Sequence, residues 1–363
     1  HSHETAEVDT EVSEEQPRVC VHKLEDRKVG KGSVALLLGT LATGGFSTRP
    51  TQPEDADLLL ANAFPSPAML AKLREGCVVN HFPGEYEMGA KDRLAMLARG
   101  CCLCPETFVL PEEWKKLEDS PGSAERVWIV KPRQLGEGRH VQVVKGVSAL
   151  KAQSIDQLPC VVSEYIINPL LVEGQKIDIR VYVLIRQLDP LLDAAVFEEG
   201  LVRMCGEAYS LDEETLKNQA AHISNNAVQV KSKRHAGGLN WSLHHLWEWI
   251  DSDTHLSSSV VWARICRALR RLLEAWAPLA RAARDRYSSR DYNRVHCYSL
   301  LAVDILIDQL GAPWILEVNP KPALHAQSAS LKVVFPTHYA VKASMLADLF
   351  SILPLPEQHT GGA

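Results

Sequence analysis

Hydrophobic and polar residues alternate along several stretches of the chain, as is typical of β-strands. The sharpest case is EGQKIDIRVYVLI, in which Lys176, Asp178 and Arg180 alternate with aliphatic residues, so that one face is charged and the other apolar. Apolar runs bounded by turn residues predict further strands. These runs are ADLLLAN, RVWIVKP, LPCVVSEYI and LLDAAVFEEGLVRM.

Other stretches repeat hydrophobic residues at intervals of three and four, which predicts amphipathic helices. The longest is SSSVVWARICRALRRLLEAWAPLARAARDRY, which begins with serines, and HYAVKASMLADLFSIL predicts a helix near the C-terminal end. Shorter helices are predicted at residues 33–42, 67–75 and 91–98.

Local composition predicts how the chain is organised. Residues 1–17 are acidic and lack aromatic side chains, which predicts a disordered tail. A small α/β N-terminal lobe is expected at residues 18–122, and the turn-rich segment EDSPGSAE is interpreted as a flexible joint. Larger lobes are expected at residues 123–353, followed by a flexible tail at residues 354–363.

The overall composition narrows the class of protein. With 363 residues, of which 46% are hydrophobic, the chain has enough material for a packed core with two or three lobes. It has no apolar run long enough to span a membrane. Nine cysteines without regular spacing predict a reducing, cytoplasmic environment, and CCLC has no second pair to complete a zinc site. The net charge of −6 does not support general nucleic-acid binding.

Two neighbouring apolar segments near the C-terminal end carry polar residues. LLAVDILID contains Asp304, WILEVN contains Glu317 and Asn319, and DQLGAP between them predicts a hairpin turn. Strict alternation places Ile315 on the same face as Glu317 and Asn319. Buried carboxylates are costly unless they are compensated, so the pattern predicts either a structural salt-bridge network or a magnesium site. Three oxygen donors on adjacent strands favour magnesium.

Two basic positions suggest an anion site. Lys131 ends an apolar strand just before a loop with Gly136 and Gly138, which is suited to cradling a phosphate. A lysine that only promotes solubility is the alternative. Arg180 has the geometry to clamp a phosphate or carboxylate with two hydrogen bonds, and a solvated sheet face is the alternative there.

Several longer motifs occur together in one order. They are VNHFPGEYEMGAKDRL, TFVLPEEW, WIVKP, PCVVSEYIINPLLVEGQKIDIRVYVLI, DPLLDAAVFEEGLVRM, AYSLDEETLKNQAAHISNN and LLAVDILIDQLGAPWILEVNPKPALH. Between about Asn80 and His325 the chain thus resembles the tubulin–tyrosine ligase-like family of ATP-grasp amino-acid ligases. The resemblance implies an α+β fold in which a nucleotide is sandwiched between two β-rich lobes, beside a small N-terminal lobe.

The resemblance also implies roles for individual residues. It assigns catalytic roles to Lys131, Arg180 and Arg203, the last of these close to the transferred phosphate and the acceptor. The residues implied to bind ATP or line its pocket are Lys91, Lys131, Gly136, Gly138, Ser163, Glu164, Tyr165, Ile166, Lys176, Asp178, His222 and Asn225. The implied magnesium ligands are Asp304, Glu317 and Asn319.

The function implied by the resemblance is ATP- and magnesium-dependent ligation of a free amino acid, most often glutamate, to an acidic protein tail such as that of tubulin. The reaction would pass through an acyl phosphate. A monomer associated with the cytoskeleton is expected, without membrane or nucleic-acid partners. The basic segment KSKRH, residues 231–235, is interpreted either as a cationic rim for the acceptor or as a solvated loop.

Some positions depart from the family pattern. The loop KPRQLGEGRHV is short and carries Arg139 and His140 where an aliphatic residue is typical, Asn226 replaces an aromatic residue, and Ser163 stands where glutamine is common. These departures leave other functions open. A nucleotide-binding pseudoenzyme or scaffold, a glycine- or tyrosine-adding ligase, and a small-molecule ATP-grasp ligase are the alternatives.

Overall fold

The computed structural model describes residues 17–22, 31–47, 49, 51–99, 101, 103–133, 138–229, 240–324 and 336–354. Several positions with predicted roles lie outside the described residues. They are residues 1–16 and 355–363 of the two predicted tails, Cys102, Gly136 and the segment 231–235.

The described part of the chain contains fourteen strands. In chain order they are β1 (Val19–His22), β2 (Leu58–Ala61), β3 (Val78–Val79), β4 (Thr107–Leu110), β5 (Val127–Pro132), β6 (Gln142–Lys145), β7 (Cys160–Glu164), β8 (Leu171–Val172), β9 (Gln175–Gln187), β10 (Asp193–Met204), β11 (Asn240–Ser242), β12 (His296–Cys297), β13 (Ser299–Ile307) and β14 (Pro313–Asn319).

The same part of the chain contains twelve α-helices, and none of those described is both long and apolar enough to cross a membrane. They are α1 (Lys31–Thr43), α2 (Pro67–Leu70), α3 (Tyr86–Gly89), α4 (Lys91–Ala98), α5 (Trp114–Glu118), α6 (Val147–Ala152), α7 (Gln219–His222), α8 (Asn226–Gln229), α9 (Leu243–Asp253), α10 (Ser258–Arg284), α11 (Ser289–Tyr292) and α12 (Pro336–Ile352).

A six-stranded antiparallel sheet forms the centre of the fold, in the order β11-β10-β9-β13-β14 with β8 added beside β9. The aliphatic residues of β9, Ile177, Ile179 and Val181, lie on one face and pack in the core with α9 and α10. The predicted separation of charged and apolar faces along β9 is therefore confirmed. Burial of this apolar face is favourable, and because side chains alternate across a strand, it also fixes the direction of the charged face.

The opposite face of the sheet changes character along β9. Beyond Arg180, the same face continues with Tyr182 and Leu184, which are buried in a second core that also contains Leu41 of α1 and Met345 of α12. Helices α1 and α12 therefore cover the far end of this face and leave its charged end beside a second sheet.

Two smaller sheets complete the fold. A parallel sheet has the order β1-β2-β3-β12, and an antiparallel sheet has the order β4-β7-β5-β6. The sheets do not divide at the expected lobe boundary near residue 122, because β4 before it pairs with β7 after it, and β12 joins the strands near the N-terminus. The lobe limits of residues 18–122 and 123–353 stay a prediction.

The segment EDSPGSAE was expected to be a flexible joint, but it forms a hydrogen-bonded turn beside the sheet β4-β7-β5-β6. Ser120 and Ser123 are buried, and the Ser123 hydroxyl donates to the carbonyl of Glu118 at 2.9 Å. The Trp128 indole in turn donates to the carbonyl of Ser123 at 3.2 Å. These contacts tie the turn to β5, so it does not act as a spacer between lobes.

Strands β13 and β14 form the predicted hairpin, with one irregularity. The strand register pairs Asp304 with Glu317 and then skips Leu316, which is the extra residue of a β-bulge. Ile315 and Val318 consequently both enter the apolar core. The expectation that Ile315 shares a face with Glu317 is wrong, because a bulge interrupts the alternation of side chains.

Helix predictions were accurate for the long elements and less so for short ones. Helix α4 has the predicted bounds, and α10 begins directly after Ser257. The helix predicted at residues 67–75 ends at Leu70, and the chain then turns through Gly76, with φ of +78°, before it enters β3. Helix α9 was not predicted.

Candidate active site

A cleft lies between the charged end of the six-stranded sheet and the sheet β4-β7-β5-β6. Its mouth is open to solvent, and both polar and apolar side chains form its walls. Predicted site residues from both sheets and from α4 and α7 line the cleft. They are Lys91, Lys131, Gly138, Ser163, Glu164, Tyr165, Ile166, Lys176, Asp178, Arg203, His222, Asn225, Asp304 and Glu317.

Other predicted site residues lie elsewhere. Arg180 and Asn319 lie next to lining residues on the sheet but are not part of the lining, and Gly136 is outside the described residues. Most of the predicted site residues thus line one cleft, and their roles stay a prediction. Which ligand it holds stays a prediction.

Three lysines approach the cleft from different elements. Lys91 begins α4, Lys131 lies near the end of β5, and Lys176 lies near the start of β9. The Lys131 ammonium donates to the carbonyl of Leu316 at 3.4 Å, and Lys91 Nζ lies 3.9 Å from Glu317 Oε1. Burial lowers the pKa of Lys131, and the neighbouring lysines lower it further against the opposing effect of Glu317. Ammonium groups placed this close favour an anion with several charged oxygens.

Tyr165, Lys176 and His222 form a buried network at one end of the cleft. Lys176 Nζ donates to the Tyr165 hydroxyl and to the His222 carbonyl, both at 2.9 Å. Burial and the charge of Lys176 lower the pKa of His222 to about 4, so its ring is neutral near pH 7. Its Nε2 donates to the carbonyl of Thr215 at 3.0 Å, which leaves Nδ1 to accept from the Tyr165 hydroxyl at 2.8 Å. The network fixes the segment that follows β7.

A ladder of charged side chains crosses the sheet beside this network. Arg180 donates through Nε and Nη2 to the two carboxylate oxygens of Asp304, at 2.7 and 2.9 Å. Arg203 Nη2 lies 2.9 Å from Asp304 Oδ2, and its Nε donates to Asp178 Oδ1 at 2.6 Å. The Ser224 hydroxyl donates to the other oxygen of Asp178. Both arginines are therefore held in fixed orientations.

The ladder decides between the two interpretations of the charged face of β9. Lys176 and Asp178 are only 6% and 7% exposed, so a solvated sheet face is excluded for them. Burial alone would raise the pKa of Asp304, but the guanidinium groups of Arg180 and Arg203 outweigh burial and hold the pKa at about 2. Arg180 does clamp a carboxylate with two hydrogen bonds, and that carboxylate belongs to the chain itself.

The hairpin places oxygen donors where a hard cation would fit. Asp304 and Glu317 are direct cross-strand neighbours, and Asn319 follows Glu317 by two positions. The side-chain nitrogen of Asn319 is buried and has no hydrogen-bond partner among the described residues, and the oxygen of the same amide is the atom that would bind a cation. Glu317 keeps 30% of its side chain exposed. One or two carboxylates with neighbouring phosphates is the donor set that magnesium prefers, so these residues fit the expected metal.

Asp304 also belongs to the salt-bridge network that was the alternative to a metal site. A carboxylate has about four lone-pair sites, so its bonds to the arginines leave capacity for a cation. The described residues contain no cluster of three or more His, Cys, Asp and Glu side chains suited to a metal. A metal site at this position would therefore also need Asn319 and oxygen atoms from a bound ligand.

Gly138 lies where the loop after β5 approaches α7. Its φ is +72°, and an added Cβ would lie 3.0 Å from Ile223 and 3.1 Å from both Asn225 and Val228. Only glycine combines that backbone conformation with so close an approach. Elsewhere in the cleft wall, the Thr107 hydroxyl donates to Ser163 at 2.9 Å and links β4 to β7.

Some residues near the site were not identified from the sequence. Ser224 bonds Asp178, and Lys342 and His338 of α12 lie buried close enough to the arginines of the ladder for the charges of Arg180 and Arg203 to act on them. The sequence carried a signal for Lys342, because it precedes the buried residues Leu346 and Leu349 by four and seven positions on one helix face. A lysine in such a stripe predicts a buried cation.

The family model of the "Tubulin-tyrosine ligase family" matches residues 71–360. This match covers the elements that build the cleft, from α4 to α12. The chain belongs to the tubulin-tyrosine ligase family. The expected α+β fold of the ATP-grasp type is thereby confirmed.

Three curated relatives are 28–30% identical to the chain over the residues that align. "Tubulin monoglutamylase TTLL4" of Homo sapiens is 30% identical over 298 residues, 77% of this chain and 24% of the relative. "Tubulin polyglutamylase TTLL5" of Homo sapiens is 28% identical over 344 residues, 90% of this chain and 26% of the relative. "Tubulin polyglutamylase ttll-4" of Caenorhabditis elegans is 29% identical over 291 residues, 76% of this chain and 45% of the relative. The chain spans about a quarter of the length of the human relatives.

Proposed function

We propose that the chain is an ATP- and magnesium-dependent ligase that adds glutamate to an acidic protein tail such as that of tubulin. Membership of the family supports a ligase, and relatives that carry the names monoglutamylase and polyglutamylase support glutamate and tubulin. Free glutamate and the protein tail are the two substrates that become joined. We further propose that the chain acts as a monomer at the cytoskeleton, where its substrate is found.

One observation carries this proposal. The cleft brings the ammonium groups of Lys91 and Lys131 next to the carboxylate of Glu317. Asp304 lies on the neighbouring strand β13, and Arg203 lies on β10 of the same sheet. Cations that face oxygen donors across a few ångströms suit a phosphate chain with its metal ion. A cleft for a neutral ligand would not require this number of buried charges.

The proposed chemistry follows from what an amide bond requires. A carboxylate does not react with an amine until it is activated, so ATP first phosphorylates it. The amine then forms the C–N bond while phosphate leaves and the ammonium proton passes to solvent. Lys91 and Lys131 bind the phosphate oxygens, and Arg203, fixed by Asp178 and Asp304, stabilises negative charge on the carbonyl oxygen.

Magnesium would be held by Glu317 and Asn319 with Asp304, and when bound it neutralises negative charge on the phosphoryl group. The protein's own contribution is to keep the donors in place. The bulge at Leu316 turns the Glu317 side chain to the cleft while Ile315 and Val318 anchor β14 in the core. The Lys131 bond to the Leu316 carbonyl links this strand to the opposite sheet.

Intact-mass analysis tests the proposal directly. The protein is incubated with tubulin, magnesium and ATP, and each of glutamate, glycine and tyrosine is supplied separately. We expect mass increments of one or more glutamate residues that depend on ATP. Increments with glycine or tyrosine alone would assign another amino acid, and nucleotide binding without any increment would favour the scaffold.

The loop at Gly138 gives a second test. Gly138→Val should weaken binding of a non-hydrolysable ATP analogue with magnesium by about tenfold, since both the positive φ and the contact with Ile223 oppose a branched side chain. Calorimetry measures the affinity. Gly76→Val is the matched control, because Gly76 has a similar φ of +78° with open space around its Cβ position. Equal affinities in the two variants would show that the loop does not contact the nucleotide.

A further inference from the structure

Asn240 of β11 stands at the end of a row of side chains that crosses the six-stranded sheet. The register of β10 against β11 pairs Asn240 with Arg203, and the register of β9 against β10 pairs Arg203 with Asp178. Directly paired residues of antiparallel strands present their side chains on one face, with Cβ atoms about 4.5–5.5 Å apart. Asn240 therefore shares the face on which Arg203 and Asp178 line the cleft.

The side-chain amide of Asn240 has an unused acceptor. Its Oδ1 atom is buried and has no hydrogen-bond partner among the described residues, although the residue as a whole is partly exposed. A buried acceptor without a donor costs free energy, and such groups are rare in folded proteins. The oxygen therefore suits a ligand that brings an N–H or O–H group to this end of the row.

The bonds of Arg203 explain why the chain does not supply that donor itself. Its Nε donates to Asp178 of β9 at 2.6 Å, and its Nη2 lies 2.9 Å from Asp304 of β13. Both partners lie on the side of β10 opposite to β11. The guanidinium is thus directed away from Asn240, and Oδ1 is left without the cation that its strand register brings closest.

The proposed reaction brings an N–H group to this place. An acidic tail supplies the carboxyl group that ATP activates, so the free amino acid supplies the amine, and Arg203 is the residue proposed to stabilise charge on the reacting carbonyl group. We infer that Asn240 Oδ1 accepts a hydrogen bond from the α-amino group of the free amino acid and so orients that group for attack. The inference rests on the proposed function and names the residue that holds the nucleophile.

The step that Asn240 assists has a defined proton balance. The α-ammonium group first loses one proton to solvent. The resulting amine donates one N–H to Asn240 and directs its lone pair at the carbonyl carbon of the acyl phosphate. The C–N bond forms as the C–O bond to phosphate breaks. One of the two remaining amine protons leaves with the phosphate, and the N–H that Asn240 holds stays in the new amide.

Substitution of Asn240 by leucine, which has a similar shape and no acceptor, tests the inference. Calorimetry, with a non-hydrolysable ATP analogue present, compares glutamate with glutarate, which lacks only the amine. In Asn240→Leu we expect the ratio of the glutamate affinity to the glutarate affinity to fall by at least about tenfold, while the affinity for the ATP analogue changes by less than about twofold. An unchanged ratio would overturn the inference.

A second variant separates the oxygen of the amide from its nitrogen. In Asn240→Asp a carboxylate replaces the amide, and a carboxylate accepts hydrogen bonds but does not donate them. This variant should therefore retain most of the preference for glutamate over glutarate. If the N–H₂ group of Asn240 bound a substrate carboxylate instead, Asn240→Asp would lose glutamate binding as completely as Asn240→Leu, and the assignment to the amine would be wrong.

Stability measurements distinguish a substrate role from a structural one. Asn240→Leu removes an unpaired buried acceptor, so its thermal midpoint should be equal to or above that of the original protein. Asn293→Leu is the matched control, because Asn293 is an exposed residue at the end of α11 and its loss should not change the affinity ratio. A marked loss of stability in Asn240→Leu with an unchanged ratio would assign Asn240 to the fold.

Hydroxylamine trapping separates this inference from the proposed function. Hydroxylamine is a small nucleophile that attacks an acyl phosphate without being held by Asn240. In Asn240→Leu, hydroxamate should therefore form on the tail within about twofold of the original rate, while glutamate addition falls by at least about tenfold. Loss of both reactions would place Asn240 in the activation step and contradict the inference.

The remaining outcomes are also decisive. If the original protein adds glutamate and Asn240→Leu adds it equally well, the inference is wrong and the proposed function stands. A fall in the ratio of glutamate to glutarate affinity in Asn240→Leu supports the inference even if tubulin accepts no amino acid. If glutamate does not bind to the original protein, the inference is overturned.

Discussion

Asp304→Asn is expected to lower the free energy of unfolding by about 3–5 kcal/mol, the usual effect of removing one partner from a buried ion pair. Asp304 is 3% exposed and bonds two arginines. An asparagine cannot compensate either charge, and its N–H₂ group would point at a guanidinium. Urea unfolding measures the change. Asp193→Asn is the control on the same sheet, because its pair with Arg186 is exposed and should contribute at most about 1 kcal/mol.

The pH dependence of this effect has a definite sign. The pKa of Asp304 is about 2 in the folded protein, below its ordinary value of 3.8. A carboxyl group with a depressed pKa stabilises the fold above its unfolded pKa, and the contribution disappears as the pH falls through the folded one. The stability difference between the original protein and Asp304→Asn should therefore be constant above about pH 5 and shrink toward pH 2. A difference that grew on acidification would contradict the salt-bridge assignment.

Glu317→Gln is expected to reduce ligation by more than about 100-fold while the fold is kept, because a neutral amide is a poor ligand for magnesium and cannot neutralise Lys91. Glu317 makes no short hydrogen bond among the described residues, and its contact with Lys91 is 3.9 Å. Its loss should therefore change the thermal midpoint little. Initial rates of glutamate addition, measured over a range of magnesium concentrations, quantify the loss.

A control variant tests whether the loss of any carboxylate, wherever it lies, lowers the rate. Glu248→Gln removes an exposed carboxylate from α9, away from the cleft, and should leave the rate within about twofold. Full turnover in a folded Glu317→Gln protein would remove Glu317 from the proposed metal ligands. Asp304 and Asn319 alone would then be an insufficient site.

The sequence predicted structure best where the signal lies within one short segment, such as the alternation of side chains along a strand. Lys176, Asp178 and Arg180 alternate with Ile177 and its aliphatic neighbours, and that pattern alone predicts which face of β9 is buried in the core. The hairpin turn could also be predicted from neighbouring residues, because the Asp308 side chain accepts a hydrogen bond from the backbone N–H of Leu310, two positions later. The motifs then indicated which residues would lie together, since most of the site residues implied by the resemblance line one cleft.

Features that depend on distant partners could not be predicted in this way. The bond between Arg180 and Asp304 requires the register of β9 against β13, which no residue in either strand specifies by itself. The bulge at Leu316 has no distinctive sequence, because leucine fits a regular strand equally well. Helix α9 is different, since Leu243, Leu246 and Ile250 show the helical period, which is a local signal for a helix.

Strand β12 has a consequence for how the chain is synthesised. The parallel sheet gains its fourth strand only when His296 and Cys297 pair with β3, after β9 and β10 have already left the ribosome. Until then β3 has an open edge, but this edge is only two residues long, and short edge strands offer few backbone groups to another chain. The last strand of this sheet can therefore be added late in synthesis without a long exposed edge in the meantime.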